Sequence, residues 1–173
     1  MSNQTHDSSI RNYRSEDLQA CRALWVELTE WHRQIYHSPD IGGDDPGRKF
    51  DEHLDRVGAE RIWLATRGPD IVGMVGMIPG DSEVELEPIV VTEGSRGRGV
   101  GRQLAEHVIG QARAAGVRYV VTRPVARNGA ALGFFRGLGF DALGQLELLL
   151  DLRPAAEQRW QPGAVIAGCE LRI

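Results

Sequence analysis

A chain of 173 residues, 42 % hydrophobic, is long enough to bury a core and is most simply one domain, with its core over about residues 10–152. A net charge of −4 argues against a nucleic-acid binder, which normally carries a basic face, and no apolar run reaches membrane-spanning length. Cys21 and Cys169 lie far apart, no signal-like stretch is seen, and neither a disulfide framework nor a metal site is expected, which suits the cytoplasm.

The chain opens with a short strand over Ile10 to Tyr13. Ser15 is the expected N-cap of a helix, with Glu16 and Asp17 in its first turn. Leu18, Cys21, Trp25, Leu28 and His32 recur at helical spacing and carry that helix to about Tyr36, with His32 read as a partly buried core histidine. Ser38 to Arg48, with its prolines, glycines and aspartates, is a loop. Phe50, Leu54 and Val57 mark a shorter helix that ends at Gly58.

Three strands follow, over Ile62 to Thr66, Ile71 to Ile78 and Glu83 to Val91, punctuated by Gly68-Pro69-Asp70 and Gly80-Asp81. Leu104, Ala105, Val108, Ile109 and Ala112 form a helical stripe that stops at Gly116. Val117 to Thr122 is β-rich, and the helix before it implies a parallel pairing with the strand that ends at Val91. Asn128 opens another helix, with Ala131, Phe134, Phe135 and Leu138 inward and Gly139 at its end. Leu146 to Leu152 reads as a core strand, and Ala164 to Ile173 as one further strand.

Between the strand ending at Val91 and the helix containing Leu104 lies Gly94-Ser95-Arg96-Gly97-Arg98-Gly99-Val100-Gly101-Arg102. A glycine loop running into a helix start offers free N–H groups and a partial positive charge to an anion. Arg96, Arg98 and Arg102 reinforce the sign, and a phosphate is the expected ligand. No lysine follows the glycines as in a Walker loop, and the third glycine of a dinucleotide fingerprint is missing at Arg102 and Leu104.

Arg96-x-x-Gly99-x-Gly101 resembles the pyrophosphate loop of the GNAT N-acetyltransferases, and Asn128-x-x-Ala131-x-x-Phe134-Phe135-x-x-Leu138-Gly139-Phe140 resembles that family's second segment. The element order agrees over roughly Ile10 to Leu152. The resemblance implies an α/β fold with a mixed central sheet, splayed between the strand before the glycine loop and the next parallel strand, with helices on both faces. It implies acetyl-CoA as co-substrate, with pantetheine along Ile89, Val90 and Val91 and the pyrophosphate on the amides of Arg96, Gly97, Arg98, Gly99, Val100, Gly101 and Arg102. Asn128 and Phe135 would face the cofactor arm, and a backbone N–H near Val91 would polarise the thioester carbonyl. A homodimer through C-terminal strands is a further expectation.

An acceptor amine of pKa ~10 must lose a proton before it attacks. Glu83, Glu85 and Glu87 alternate with Val84 and Leu86, so the three carboxylates share a strand face. Glu85 and Glu87 are the candidates to take that proton or to hold a cationic substrate, and pairing with the family's acidic position favours Glu85. Phe135 stands where the family often has a tyrosine that protonates the leaving thiolate. The expected activity is acetyl transfer from acetyl-CoA to a primary amine by direct attack, the acceptor being a small cationic amine. Rival readings are a peptide or protein N-acetyltransferase and an acetyl-CoA sensor without turnover.

Overall fold

Ile62, Trp63, Leu64 and Ala65 are all buried, and this apolar run forms β2 (Ile62–Arg67) between two antiparallel neighbours, β1 (Ser9–Asn12) and β3 (Asp70–Pro79). The computed structural model describes residues 8–173. The sheet continues with β4 (Glu83–Val91), antiparallel to β3, and β5 (Tyr119–Val121), parallel to β4, in the order β1-β2-β3-β4-β5. Gly68 takes the left-handed conformation in the β2–β3 turn, with φ of 59°, as the Gly-Pro-Asp signal requires.

Helices α1 (Leu18–Tyr36) and α2 (Lys49–Val57) bury Cys21, Leu24, Phe50 and Val57 with Tyr13, Ile62, Leu64, Met74 and Val90 of the sheet. Tyr13 and Trp25 close on Phe50 with ring centroids 5.8 and 6.1 Å away. The helix start differs from expectation: Ser15 lies inside a 3-10 turn (Ser15–Asp17) and caps nothing. Asp17, the residue before α1, gives that helix no side-chain cap either; its carboxylate instead closes the start of the 3-10 turn, accepting the Arg14 N–H at 2.8 Å and the Arg11 guanidinium at 2.7 and 2.8 Å. A carboxylate bonded to an N–H and a bidentate arginine holds that turn more firmly than a neutral hydroxyl could.

Helix α3 (Val100–Ala114) covers β2, β3 and β4 with Val100, Leu104, Ala105, Val108 and Ala112, spaced as one helical stripe. Gly73 of β3 makes this closeness possible, since a Cβ there would lie 3.0 Å from Leu104 Cδ1. The chain divides between Arg123 and Pro124 into two units.

The second unit holds α4 (Gly129–Arg136) and a hairpin of β6 (Pro162–Ile166) with β7 (Cys169–Arg172). Two expectations are corrected here. Residues 146–152 form no strand: they have no ladder partner, and Leu150 and Leu152 are 84 % and 87 % exposed. β6 and β7 pair with each other, leaving no edge taken up by the leucine run. The tail is two strands, not one, reversing at Ala167 and Gly168, whose φ values of 50° and 81° suit a two-residue hairpin turn.

Candidate active site

Strand β4 decides the site because its ladder changes along its length. It pairs with β5 only through Glu83, Glu85 and the intervening Val84, so Leu86 to Val91 lie beyond the last β5 contact. The Thr92 N–H donates to the Val72 carbonyl at 3.0 Å, which makes Val72 and Thr92 a hydrogen-bonded pair. Gly73–Val91 is therefore a non-bonded pair, Met74–Val90 a bonded one and Val75–Ile89 again non-bonded. The peptide groups of Ile89 and Val91 point away from β3, toward the gap that β5 leaves. Those of Val90 are spent on β3.

A bulge shifts the register between Val75 and Met77, where Glu87 and Pro88 face Gly76. A Cβ on Gly76 would lie 2.5 Å from the Glu87 carbonyl oxygen, so only glycine fits. Glu85 lies opposite Ile78 on the face that α1 and α2 cover, and Glu83 and Glu87 share that face by alternation.

The three carboxylates are not bare. Arg123, two residues past β5, donates to Glu83 at 3.2 Å and forms a close ion pair with Glu85. Arg56 of α2 lies 3.6 Å from Glu87 and donates to His53 Nδ1 at 3.2 Å. Burial, and then the charge of Glu85, raise the Glu87 pKa, against the pull of Arg56 and Arg123. His53 is 3 % exposed and packs on Trp25 with ring centroids 5.1 Å apart and planes tilted by 46°; with Nδ1 accepting, its proton sits on Nε2, packed near Gly76 without a partner. Burial and the charge of Arg56 push its pKa down to about 4.

Beyond Val91 the backbone makes a 3-10 turn (Glu93–Ser95) and enters α3 at Gly99, whose φ is 83°. No side chain caps α3, and the first helical bond is Gln103 N–H to the Gly99 carbonyl at 3.0 Å. The N–H groups of Val100, Gly101 and Arg102 thus lack helical acceptors. A Cβ at Gly94, Gly97 or Gly99 would meet nothing within 4 Å, so the loop is open to an approaching group. Arg98 and Arg102 are exposed beside it, Arg102 lying 3.4 Å from Glu106.

The expected site residues from Glu85 to Arg102 therefore lie on one strand–loop–helix passage. Asn128 and Phe135 belong to the second unit. Asn128 Oδ1 caps α4 by accepting the Ala131 N–H at 3.0 Å, and Phe135, 5 % exposed, packs on Phe134 and Phe140 with centroids 5.1 and 5.4 Å away. Arg56, Arg123, His53 and Glu27 of α1 were not singled out by the sequence reading. Their partners are distant along the chain or, for Arg56 and His53, carry no motif.

Cys21 is fully buried, and burial followed by the charge of Asp17 pushes its thiol up to about 12, so it is no nucleophile. Among the described residues no group of three or more His, Cys, Asp or Glu side chains is arranged to hold a metal, and no helix is long and apolar enough to cross a membrane.

Rat N-acetyltransferase 8B is 30 % identical over 90 residues, 49 % of this chain and 40 % of that protein. The chain spans under half the length of the curated relatives it matches. A GNAT-family acetyltransferase from Staphylococcus aureus Mu50 superposes with a TM-score of 0.67 at 16 % identity, covering 88 % of this chain and 93 % of that one. One from Brucella melitensis, solved in complex with acetyl-CoA, gives a TM-score of 0.59 at 21 % identity over 79 % of this chain and 84 % of that one. At such identities the likeness is one of fold. The profile of the Acetyltransferase (GNAT) family matches residues 25–140, more than half of the sequence, and the chain belongs to that family.

Proposed function

We propose that this protein transfers the acetyl group of acetyl-CoA to a primary amine by direct attack. The observation that carries the reading is the outward peptide groups of Ile89 and the outward N–H of Val91 in the β4–β5 gap, leading straight into an open glycine loop and an uncapped helix start. The amide-rich pantetheine arm suits Ile89 to Val91, and the pyrophosphate suits the amides from Gly97 to Arg102 with Arg98 and Arg102 beside them. Acetyl-CoA supplies an activated thioester.

The residues of the chain do the rest. Glu87 receives the proton of the acceptor ammonium: it is half-exposed, loosely paired with Arg56, and its pKa is raised toward the working range. Glu85, held by Arg123, supplies the negative charge that raises Glu87 and attracts the ammonium. The Val91 N–H stabilises the negative oxygen that forms during attack. The three glutamates on one face support a small cationic amine as acceptor. Asp40 and Asp44 line a hollow with Arg33, and Arg33 also ties their loop to α1 through the Ile41 and Gly43 carbonyls at 2.8 and 2.7 Å. The exposed leucines and β6–β7 hairpin support a homodimer, which light scattering checks.

Calorimetry with acetyl-CoA tests the cradle. Asparagine accepts the left-handed conformation that Gly99 adopts, so Gly99→Asn adds a side chain to the open face at little backbone cost. It is expected to lose acetyl-CoA binding while melting like wild type; unchanged affinity would overturn the assignment.

A further inference from the structure

Arg96 is the charged residue of the loop that its motif points to most directly, yet its side chain is committed elsewhere. Its Nε–H donates to the Val91 carbonyl at 3.0 Å, and an Nη2–H donates to Glu27 Oε1 at 2.7 Å. Its guanidinium carbon lies 5.7 Å from the ring centroid of Trp31, one helical turn beyond Glu27 on α1. The same Glu27 oxygen accepts the Glu93 N–H at 2.8 Å. One carboxylate on α1 thus holds both the first turn of the loop and its first arginine.

Val91 is the residue this arrangement controls. In an extended strand the N–H and carbonyl of one residue point to the same side, so the Val91 carbonyl stands next to the N–H that faces the gap. An uncovered carbonyl there would repel a developing negative oxygen. The guanidinium covers it, and Glu27 balances the charge of Arg96.

Resting on the acetyltransferase reading above, we propose that Arg96 is a brace and not a phosphate ligand, and that Glu27 is the positioning residue that aims it. The pair orients Val91 for the transition state and leaves attraction of the pyrophosphate to Arg98, Arg102 and the helix amides. A lysine cannot replace Arg96, because a single ammonium lacks the rigid fork that spans Val91 and Glu27.

Glu27→Gln, Arg96→Gln, Arg96→Lys and the Glu27→Gln/Arg96→Gln double variant test this by kcat at saturating substrates, calorimetric Kd for acetyl-CoA, and Tm. A brace predicts that each single variant lowers kcat by about fivefold, the scale of a half-exposed charge pair, with little change in Kd. The double variant would be no slower than either single one, and Arg96→Lys would not restore the rate. A phosphate ligand predicts the opposite pattern: Arg96→Gln weakens Kd, Glu27→Gln tightens it by freeing Arg96, and Arg96→Lys retains binding. That pattern, or additive effects on kcat, would overturn the proposal. If wild type binds no acetyl-CoA, the acetyltransferase reading falls, and the Tm cycle decides the brace by itself: coupled losses support it and additive losses overturn it.

Discussion

Replacing Glu85 by glutamine perturbs the proposed base without touching it. Glu85 and Glu87 sit two residues apart on one strand face, about 6.7 Å between Cα atoms. At that separation one unit charge is worth between about 0.6 and 2.5 kcal/mol for an effective dielectric constant of ~80 to ~20, or ~0.4 to ~1.8 pH units. Glu87 is about half exposed and the charge of Glu85 is paired with Arg123, which together favour the lower end. The charge of Glu85 raises the Glu87 pKa, so its removal lowers that pKa, whereas removing Arg56 raises it further. Turnover needs Glu87 ionised and is lost as pH falls through its raised pKa. The acid limb of kcat/KM for the amine, at saturating acetyl-CoA, should therefore move down by about 0.5 pH unit in Glu85→Gln and up in Arg56→Gln. Glu87→Gln should remove the limb set by Glu87, leaving only the rise toward the acceptor's own pKa of ~10, and cost ~10²–10⁴-fold in rate. An unmoved limb in Glu85→Gln, or a wild-type limb in Glu87→Gln, would refute the assignment.

His53 stays neutral in the fold, with its pKa depressed from 6.5 to about 4. Between those values the unfolded chain takes up a proton that the folded chain refuses, so stability falls as pH drops, by about 3 kcal/mol in all. Urea titrations of His53→Leu should lose that slope, and an identical slope would contradict the account. Gly76→Ala sets a Cβ against the Glu87 carbonyl and should destabilise by roughly 1–3 kcal/mol in thermal melts; a neutral result would show the bulge to be adaptable. Phe135→Tyr should change turnover by less than about tenfold, since a thiolate of pKa ~8.5 leaves without full protonation. A gain of several hundredfold would mean that an acid is missing.

Much of the first unit was legible in the sequence because its signals are local. Glu83 to Val91 alternates strictly at its start, glycines punctuate every turn of the sheet, and the α3 stripe keeps one period throughout. The bulge was not legible, since it depends on Gly76 meeting Glu87 and Pro88 across two strands. Nor were the arginine partners: Arg123 reaches back 40 residues to Glu83, and Arg96 reaches 69 to Glu27. The leucine run at 146–152 misled because β-propensity names a surface that fits a sheet, not a neighbour to pair with. Ser15 did not cap the helix because a 3-10 turn precedes α1, closed by Asp17 on the Arg14 N–H and on Arg11 of β1, a partner that a cap rule does not count.

The central claim is amine-dependent acetyl transfer, and free-thiol release from acetyl-CoA across a panel of polyamines, aminoglycosides, amino acids and peptides tests it most directly. Thiol should appear only when an acceptor is present, in step with an acetylated amine seen by mass spectrometry, and should vanish in Gly99→Asn. Tight acetyl-CoA binding with no amine-dependent thiol release across the whole panel would contradict the account and favour a sensor that binds the cofactor without turnover.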